Sequence, residues 1–122
     1  MSKLPDLSSL LSFWLPILKL TNWDITAKYV SHASMPDGDT MGHISIWENY
    51  LRAEIKILHP RDYRGELPFD IEQVLLHELI HIWTNEVKNG DTKEEERVCE
   101  SLSWALLNLW RNHGKDKFRK SF

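Results

Sequence analysis

The sequence predicts a single α+β domain in which one helix precedes three strands of a mostly antiparallel sheet, and two further helices follow. A chain of 122 residues that is 42% hydrophobic and 27% charged can bury one core. Apolar residues recur at helical spacing near both ends of the chain, and they alternate with polar residues between about positions 23 and 58. No repeat or low-complexity tract divides the chain, so we expect one domain over residues 1–122.

The first helix is predicted from about Leu7 to Leu20, where leucines and Trp14 recur at intervals of three or four residues. Asp6 stands where an N-cap residue is expected, because its carboxylate can accept a hydrogen bond from the first helical amides. Pro16 predicts a kink towards the end of this helix.

Three short segments of alternating polarity predict the sheet. The first covers about residues 22–30, and the other two, 43–47 and 51–58, are close enough to form an antiparallel hairpin. The segment 34–42 contains proline and glycine, which predicts a mobile loop. We expect strand 51–58 to form an exposed edge of the sheet; the alternative is that it lies inside the sheet.

The second helix is predicted to begin at Asp70. This residue can form a capping box with Gln73, while Phe69 and Val74 stand at the positions of a hydrophobic staple. Asn89 and Gly90 are typical of a helix C-terminus, so the helix is expected to end there.

The third helix is predicted from Asp91 or Thr92 to about His113, and its acidic start suits the positive end of the helix dipole. Its apolar stripe, expected to face the core, consists of Val98, Leu102, Ala105, Leu106 and Leu109. Residues 114–122 are predicted to form a flexible basic tail with a solubilising role, and nucleic-acid contact is the weaker alternative.

Composition excludes several classes of function. A formal net charge of −3 gives no reason to expect nucleic-acid binding, which usually requires a basic excess. Cys99 is the only cysteine, so an internal disulfide and a cysteine-rich zinc site are both excluded. The apolar N-terminal stretch is too short and too interrupted to span a bilayer, and it lacks a cleavage site, so we expect a cytoplasmic protein without membrane contact; an exported form is the minor alternative. The sequence does not indicate an oligomeric state.

The strongest functional signal is a histidine, a glutamate and a histidine in the apolar run VLLHELIHIW at 74–83. On a helix, residues four apart differ by about 40° in direction and by about 6 Å along the axis, so His77 and His81 can bind one metal ion. Glu78 lies about 100° from His77, where it can reach a water near the same ion and act as a general base.

The alternative is a core helix whose histidines hydrogen bond to backbone carbonyls. That interpretation accounts for each histidine separately but does not explain why the two are four residues apart. Buried polar groups need partners, because an unpaired one costs roughly 2–7 kcal/mol by transfer scales. We therefore predict a metal site, and the ligand types favour zinc.

A hydrolytic zinc site needs a third protein ligand. If the last two helices form an antiparallel pair, residues 96–100 lie level with His81. We predict Glu96 as the third metal ligand and Glu100 as the residue that accepts a hydrogen bond from a ligand histidine. Glu95 lies closer to the apolar stripe and remains a rival ligand, as does Glu100 itself.

HELIH at 77–81, followed by EERVCE at 95–100, resembles the gluzincin branch of the zincin metallopeptidases, and it looks most like the small single-domain zincins of bacteria and phages. His77, Glu78 and His81 match the HExxH motif, and Glu96 and Glu100 match the ligand glutamate and the acidic residue four positions later. Two departures stand out: Glu100 replaces the more usual aspartate, and the gap from His81 is shorter than in thermolysin-like enzymes.

The resemblance implies a minimal zincin core and hydrolysis of a peptide bond in a protein or peptide substrate. Zinc-activated water would be the nucleophile and Glu78 the base. It also implies an edge strand that pairs with extended peptide. By residue type alone, Tyr63, His59 and Tyr50 are candidates for stabilising the oxyanion. The competing hypothesis is a metal-stabilised regulatory module with a zincin fold, which binds a protein partner without cleaving it.

Overall fold

The computed structural model describes residues 4–36, 40–85 and 93–113. It is an α+β fold whose element order is the predicted one: α1 (Leu7–Ile17), β1 (Asp24–Val30), β2 (Gly42–Trp47), β3 (Arg52–Leu58), α2 (Ile71–Asn85) and α3 (Lys93–His113). The predicted end of the second helix at Asn89 and Gly90, the predicted start of the third at Asp91 or Thr92, and the tail 114–122 lie outside the described residues.

The three strands form one mixed sheet in the order β1-β3-β2. β3 pairs in parallel with β1 and antiparallel with β2, so the predicted hairpin is confirmed, whereas the expected mostly antiparallel sheet is not. The expectation that strand 51–58 forms an edge was wrong, because this strand lies in the centre between the other two. Alternating polarity reports which face of a strand is buried but not which neighbours it pairs with.

One face of the sheet packs on the helices and carries the core. The buried side chains Ala53, Ile55 and Ile57 of β3 point to this face and meet the apolar side of α2, including Leu76 and Leu79. On the opposite face of β3, Arg52, Glu54 and Lys56 are polar and more exposed, as the alternation along this strand predicts. The core therefore lies between the sheet and the helices, with α2 at its centre.

The predicted caps of the first two helices form in part. Asp6 accepts a hydrogen bond from the backbone amide of Ser8 at 3.1 Å, as an N-cap does. At the start of α2, Asp70 accepts from the backbone amide of Gln73 at 3.2 Å. The return half of the capping box is not made by the Gln73 side chain, which points instead to α3.

The buried face of α3 differs from the prediction. Glu95, Cys99, Ser103 and Leu107 are its buried residues, whereas Val98, Leu102 and Leu109 of the predicted stripe are 43%, 46% and 41% exposed. The facing side of α2 carries polar groups, so α3 turns its polar residues towards α2 to pair with them. Among the described residues, no helix has both the length and the apolar character that crossing a membrane requires.

Candidate metal centre

α2 presents a row of polar side chains towards α3, spaced four residues apart: Gln73, His77 and His81. Four-residue spacing places them on one face of the helix, within a surface that is otherwise apolar. The two helices run antiparallel, because Gln73 contacts Ser103 and His81 contacts Glu95. The antiparallel arrangement expected from the sequence is therefore present.

The two histidine rings converge on one carboxylate of α3. Their centroids lie 5.1 Å apart. Nε2 of His77 lies 3.1 Å from Oε1 of Glu96, and Nε2 of His81 lies 3.0 Å from Oε2 of the same residue. One ligand atom from each of the three residues lies within 4.8 Å of the ligand atoms of the other two. The predicted ligand Glu96 therefore stands opposite the predicted histidine pair.

The other nitrogen of each ring contacts a different carboxylate. Nδ1 of His77 lies 2.8 Å from Oε1 of Glu100, which is the role predicted for that glutamate. Nδ1 of His81 lies 2.9 Å from Oε2 of Glu95, which the sequence analysis had considered as a rival metal ligand. Carboxylates in these positions fix the tautomer and orientation of a metal-binding histidine, so that Nε2 is left to bind the ion.

The protonation of the rings shows why this arrangement suits a cation. A neutral imidazole carries one N–H, and if Nδ1 donates it to Glu95 or Glu100, Nε2 has only a lone pair. Both Nε2 atoms face the carboxylate of Glu96, which is also an acceptor when ionised. The contacts therefore require either additional protons, on the rings or on the carboxylates, or a cation between the three groups.

The electrostatic surroundings favour positive charge at His77. Burial alone would lower the pKa of this imidazole. The negative charge of Glu78 and the hydrogen bonds with Glu100 and Glu96 outweigh that effect, so the pKa of His77 is raised above its ordinary value. The same negative charges would attract a metal ion in place of the proton.

Glu100 is itself held in position by its neighbours. Gln73 Nε2 donates to its Oε1 at 2.9 Å, and Trp104 Nε1 donates to its Oε2 at 3.0 Å. Partial burial would raise the pKa of Glu100, but the hydrogen bonds from His77, Trp104 and Gln73 hold it below its ordinary value. Glu100 is therefore ionised and oriented at neutral pH.

A second group of donors, His81, Glu95 and Cys99, also lies close together on the buried side of the helix pair. Burial is the main cause that raises the pKa of the Cys99 thiol to about 12. All three residues of this group are buried and Cys99 does not line the cleft, whereas His77, His81 and Glu96 do. A catalytic zinc site keeps one position open, so the better position for such an ion is the one between His77, His81 and Glu96.

Glu78 lies beside the histidines and under β2, with only 8% of the residue exposed. A Cβ atom at Gly42 of β2 would lie 2.6 Å from Val74 Cγ1 and 3.1 Å from Glu78 Oε2. Glycine at this position therefore allows the strand to approach α2 closely enough to form a wall against the Glu78 carboxylate.

A cleft of about 610 Å³ opens over these residues. One wall consists of Met41 and, from the adjoining strand β2, Ile44 and Ile46, and carboxylates of α3 also line the cleft. β2 is an edge strand, because it pairs with β3 on one side only within the described sheet. An edge strand thus runs along the cleft that contains the histidines and Glu78.

The three candidates for oxyanion stabilisation lie elsewhere. Tyr63 donates its hydroxyl to the backbone oxygen of Leu67, Tyr50 is 80% exposed, and His59 accepts from the amide of Arg61. Within the described part of the chain, none of the three lines the cleft.

The structure brings together every residue that the sequence singled out for the metal site: His77, Glu78, His81, Glu95, Glu96 and Glu100. Sequence reasoning missed the supporting roles of Gln73, Trp104 and Gly42. Only Gln73 left a recognisable signal, since it precedes His77 by the four residues that separate His77 from His81.

The donor set fits zinc in number and type, with two imidazole nitrogens and one carboxylate and an open side towards the cleft. Ligand atoms of a tetrahedral zinc ion lie about 3.3 Å apart, from metal–ligand distances of roughly 2.0–2.1 Å. Each histidine Nε2 lies within a few tenths of an ångström of that separation from one oxygen of Glu96, at 3.1 Å from Oε1 for His77 and at 3.0 Å from Oε2 for His81. No protein-family model, curated protein or solved structure matches this chain.

Proposed function

We propose that this protein is a zinc-dependent peptidase of the zincin type, with His77, His81 and Glu96 as metal ligands and Glu78 as general base. One observation carries the proposal. Both Nε2 atoms face Glu96 while both Nδ1 atoms are held by other carboxylates, in a cleft that also contains Glu78. Among the described residues, the nitrogens of both rings contact carboxylates and not backbone carbonyls, which the alternative interpretation of the two histidines required.

When bound, zinc would polarise the scissile carbonyl and lower the pKa of a water at the site. Glu78 would accept a proton from the attacking water and pass it to the nitrogen of the leaving amine. Its burial beside the negatively charged cluster keeps the carboxylate close to the reacting atoms and away from bulk solvent. Glu95 and Glu100 would act as positioning residues that hold His81 and His77.

The substrate we propose is an extended peptide segment. Its main chain would hydrogen bond to the outer edge of β2, adding a strand to the sheet beside the histidines. Ile44 and Ile46 would contact side chains on the inner face of the added strand. β2 thereby takes the role that the sequence analysis gave to β3.

The decisive variant is Glu78→Gln, which preserves shape and removes the base. We expect it to retain zinc and to lose about 10²–10⁴-fold in turnover. A proteome-derived peptide library, digested by wild type and variants and read by mass spectrometry, measures cleavage without a known substrate. Metal content is measured on protein purified without chelator. Glu54→Gln, on the open face of the sheet, is the matched control and should cleave like wild type.

The competing hypothesis, a metal-stabilised module that binds a protein without cleaving it, predicts a different result. Wild type would contain zinc and cleave nothing, and Glu78→Gln would bind the partner unchanged. If wild type contains no metal, and His81→Ala behaves identically, both hypotheses fail. The cytoplasmic location expected from the sequence remains a prediction, which fractionation of cells expressing the full chain would test.

A further inference from the structure

We propose that this protein selects substrates that carry an acidic side chain close to the scissile bond, through His43 and Lys56 on the open face of the sheet. The selection rests on the peptidase function proposed above, since it acts on a peptide added to β2. In the register of the three strands, Lys28 of β1, Lys56 of β3 and His43 of β2 stand level with one another. Three basic side chains therefore form one row across the sheet.

The basic row faces away from the helices. Ile55 and Ile57, the neighbours of Lys56 along β3, are buried on the helix side, and alternation turns Lys56 to the opposite face. Lys28 is exposed, and Lys56 and His43 are half-buried. Like charges directly opposite in neighbouring strands destabilise a sheet. Packing of the fold therefore gives no reason for aligning the two lysines, whereas binding of an anionic group does.

The positive charge of the row has no ion-pair partner in the part of the chain that the structure describes. The ion pair on this face joins Arg52 to Glu54 at 3.3 Å, so the Glu54 carboxylate is already engaged. Neither Lys28 nor Lys56 forms an ion pair with a described residue. An acidic side chain brought to this face would therefore be attracted to the row without first breaking an internal ion pair.

The free edge of β2 determines which substrate side chain meets the row. The amide of Leu58 donates to the backbone oxygen of Met41 at 2.9 Å, so the odd-numbered residues of β2 direct their main-chain groups to β3. Gly42, Ile44 and Ile46 therefore direct theirs to the free edge, where an added peptide would bond. Side chains of that peptide would alternate between the cleft and the open face, as those of β2 do.

The peptide residue level with His43 would face the open side, at the end of the basic row. In an antiparallel pair this position is not hydrogen bonded, which brings the two side chains close together. The adjacent Gly42 lies against the general base, because a Cβ there would be 3.1 Å from Glu78 Oε2. The selected residue is therefore within about two positions of the scissile bond. Its neighbours face the cleft, where the carboxylates of Glu96 and Glu100 disfavour acidic side chains.

The measurement is a ratio of cleavage rates for peptides that carry aspartate or asparagine at one position. Starting from a library peptide that wild type cleaves, each position within about two residues of the scissile bond is varied in turn. At one position wild type should cleave the aspartate peptide about two- to fivefold faster, with no such gain at the adjacent positions. The gain should shrink as NaCl rises from about 0.02 M to about 0.5 M.

Variants of the row identify the residues responsible. Lys56→Gln should lower the ratio, and the double variant His43→Gln with Lys56→Gln should bring it to about one. Arg52→Gln is the matched control, because it removes a cation of the same face that Glu54 already neutralises, and it should keep the wild-type ratio. Both rates come from the same enzyme preparation, so a smaller folded fraction in a variant cancels from the ratio.

The possible failures are distinguishable. Equal rates for aspartate and asparagine at every scanned position would overturn the selection and leave the peptidase function standing. A ratio that the double variant does not change would overturn the role of His43 and Lys56. If wild type cleaves no peptide of the library, the peptidase function and the selection fail together.

Discussion

Replacing Glu95 and Glu100 separately by glutamine tests whether the carboxylates behind the histidines tune a metal site. Each substitution keeps the side-chain shape and removes the negative charge next to one Nδ1. Removal of such a partner typically costs 10–100-fold in metal affinity, or roughly 1.4–2.7 kcal/mol. The two contacts are similar in length, 2.9 Å at Glu95 and 2.8 Å at Glu100.

Burial should separate the two variants. The side chain of Glu95 is 3% exposed and that of Glu100 is 52% exposed, so water screens only the second charge effectively. We therefore expect Glu95→Gln to lose affinity near the upper end of the range, about 100-fold, and Glu100→Gln near the lower end, about tenfold. Zinc affinity is measured by competition with a chromogenic chelator, with folding verified by circular dichroism.

Glu94→Gln is the matched control, since Glu94 is exposed in the first turn of α3 and both histidines contact other glutamates of that helix. Its zinc affinity should remain within about twofold of wild type. A loss in Glu100→Gln that equals or exceeds the loss in Glu95→Gln would refute the argument from burial. Unchanged affinity in both variants would show that zinc binds elsewhere.

Three further predictions concern stability and turnover. Gly42→Ala places a Cβ 2.6 Å from Val74 Cγ1, so the variant should be about 1–3 kcal/mol less stable by urea unfolding and cleave peptide more slowly at unchanged zinc content. Leu51 has a positive φ of 50°, and Leu51→Asn should raise the free energy of unfolding by about 0.5–1 kcal/mol. Burial would raise the pKa of Asp70, but Arg111 holds it below the ordinary value. Asp70→Asn should therefore be about 1 kcal/mol less stable than wild type at neutral pH, with the difference vanishing as pH falls through that lowered pKa.

Each of these three has a result that would contradict it. Equal urea midpoints for Gly42→Ala and wild type would show that β2 can move away without cost. A destabilised Leu51→Asn would mean that packing of the leucine outweighs backbone strain. A stability difference for Asp70→Asn that persists unchanged at acid pH would show that the charge of Asp70 contributes nothing to it.

The sequence predicted those features that depend on local chemistry. The order of the elements, the cap at Asp6 and the pair His77 and His81 all follow from spacing along a single helix or strand. Glu96 and Glu100 followed from one assumption, that the last two helices are antiparallel, and the structure has them antiparallel. Local spacing is informative here because one helix presents both histidines.

The features that failed depend on partners that local patterns do not specify. β3 was expected at an edge and lies in the centre, because alternation is the same for edge and central strands when one face is buried. Hydrophobicity led us to predict the wrong buried face for α3. In the structure, hydrogen bonding to the polar row on α2 determines which face of α3 is buried. In both cases the missing information was the chemistry of the neighbouring element.

The first half of α3 is attached to α2 mainly by directional polar contacts, since its buried positions are Glu95, Cys99 and Ser103 and not large apolar side chains. Without an ion, separation of this half-helix would therefore be among the least costly openings of the fold. A cation shared between the two helices would raise the free energy of that opening by an amount that grows with the logarithm of its affinity. Amide hydrogen exchange should then be rapid in the first turns of α3 in metal-free protein and slow markedly on addition of zinc, while the central strand exchanges at the same rate in both.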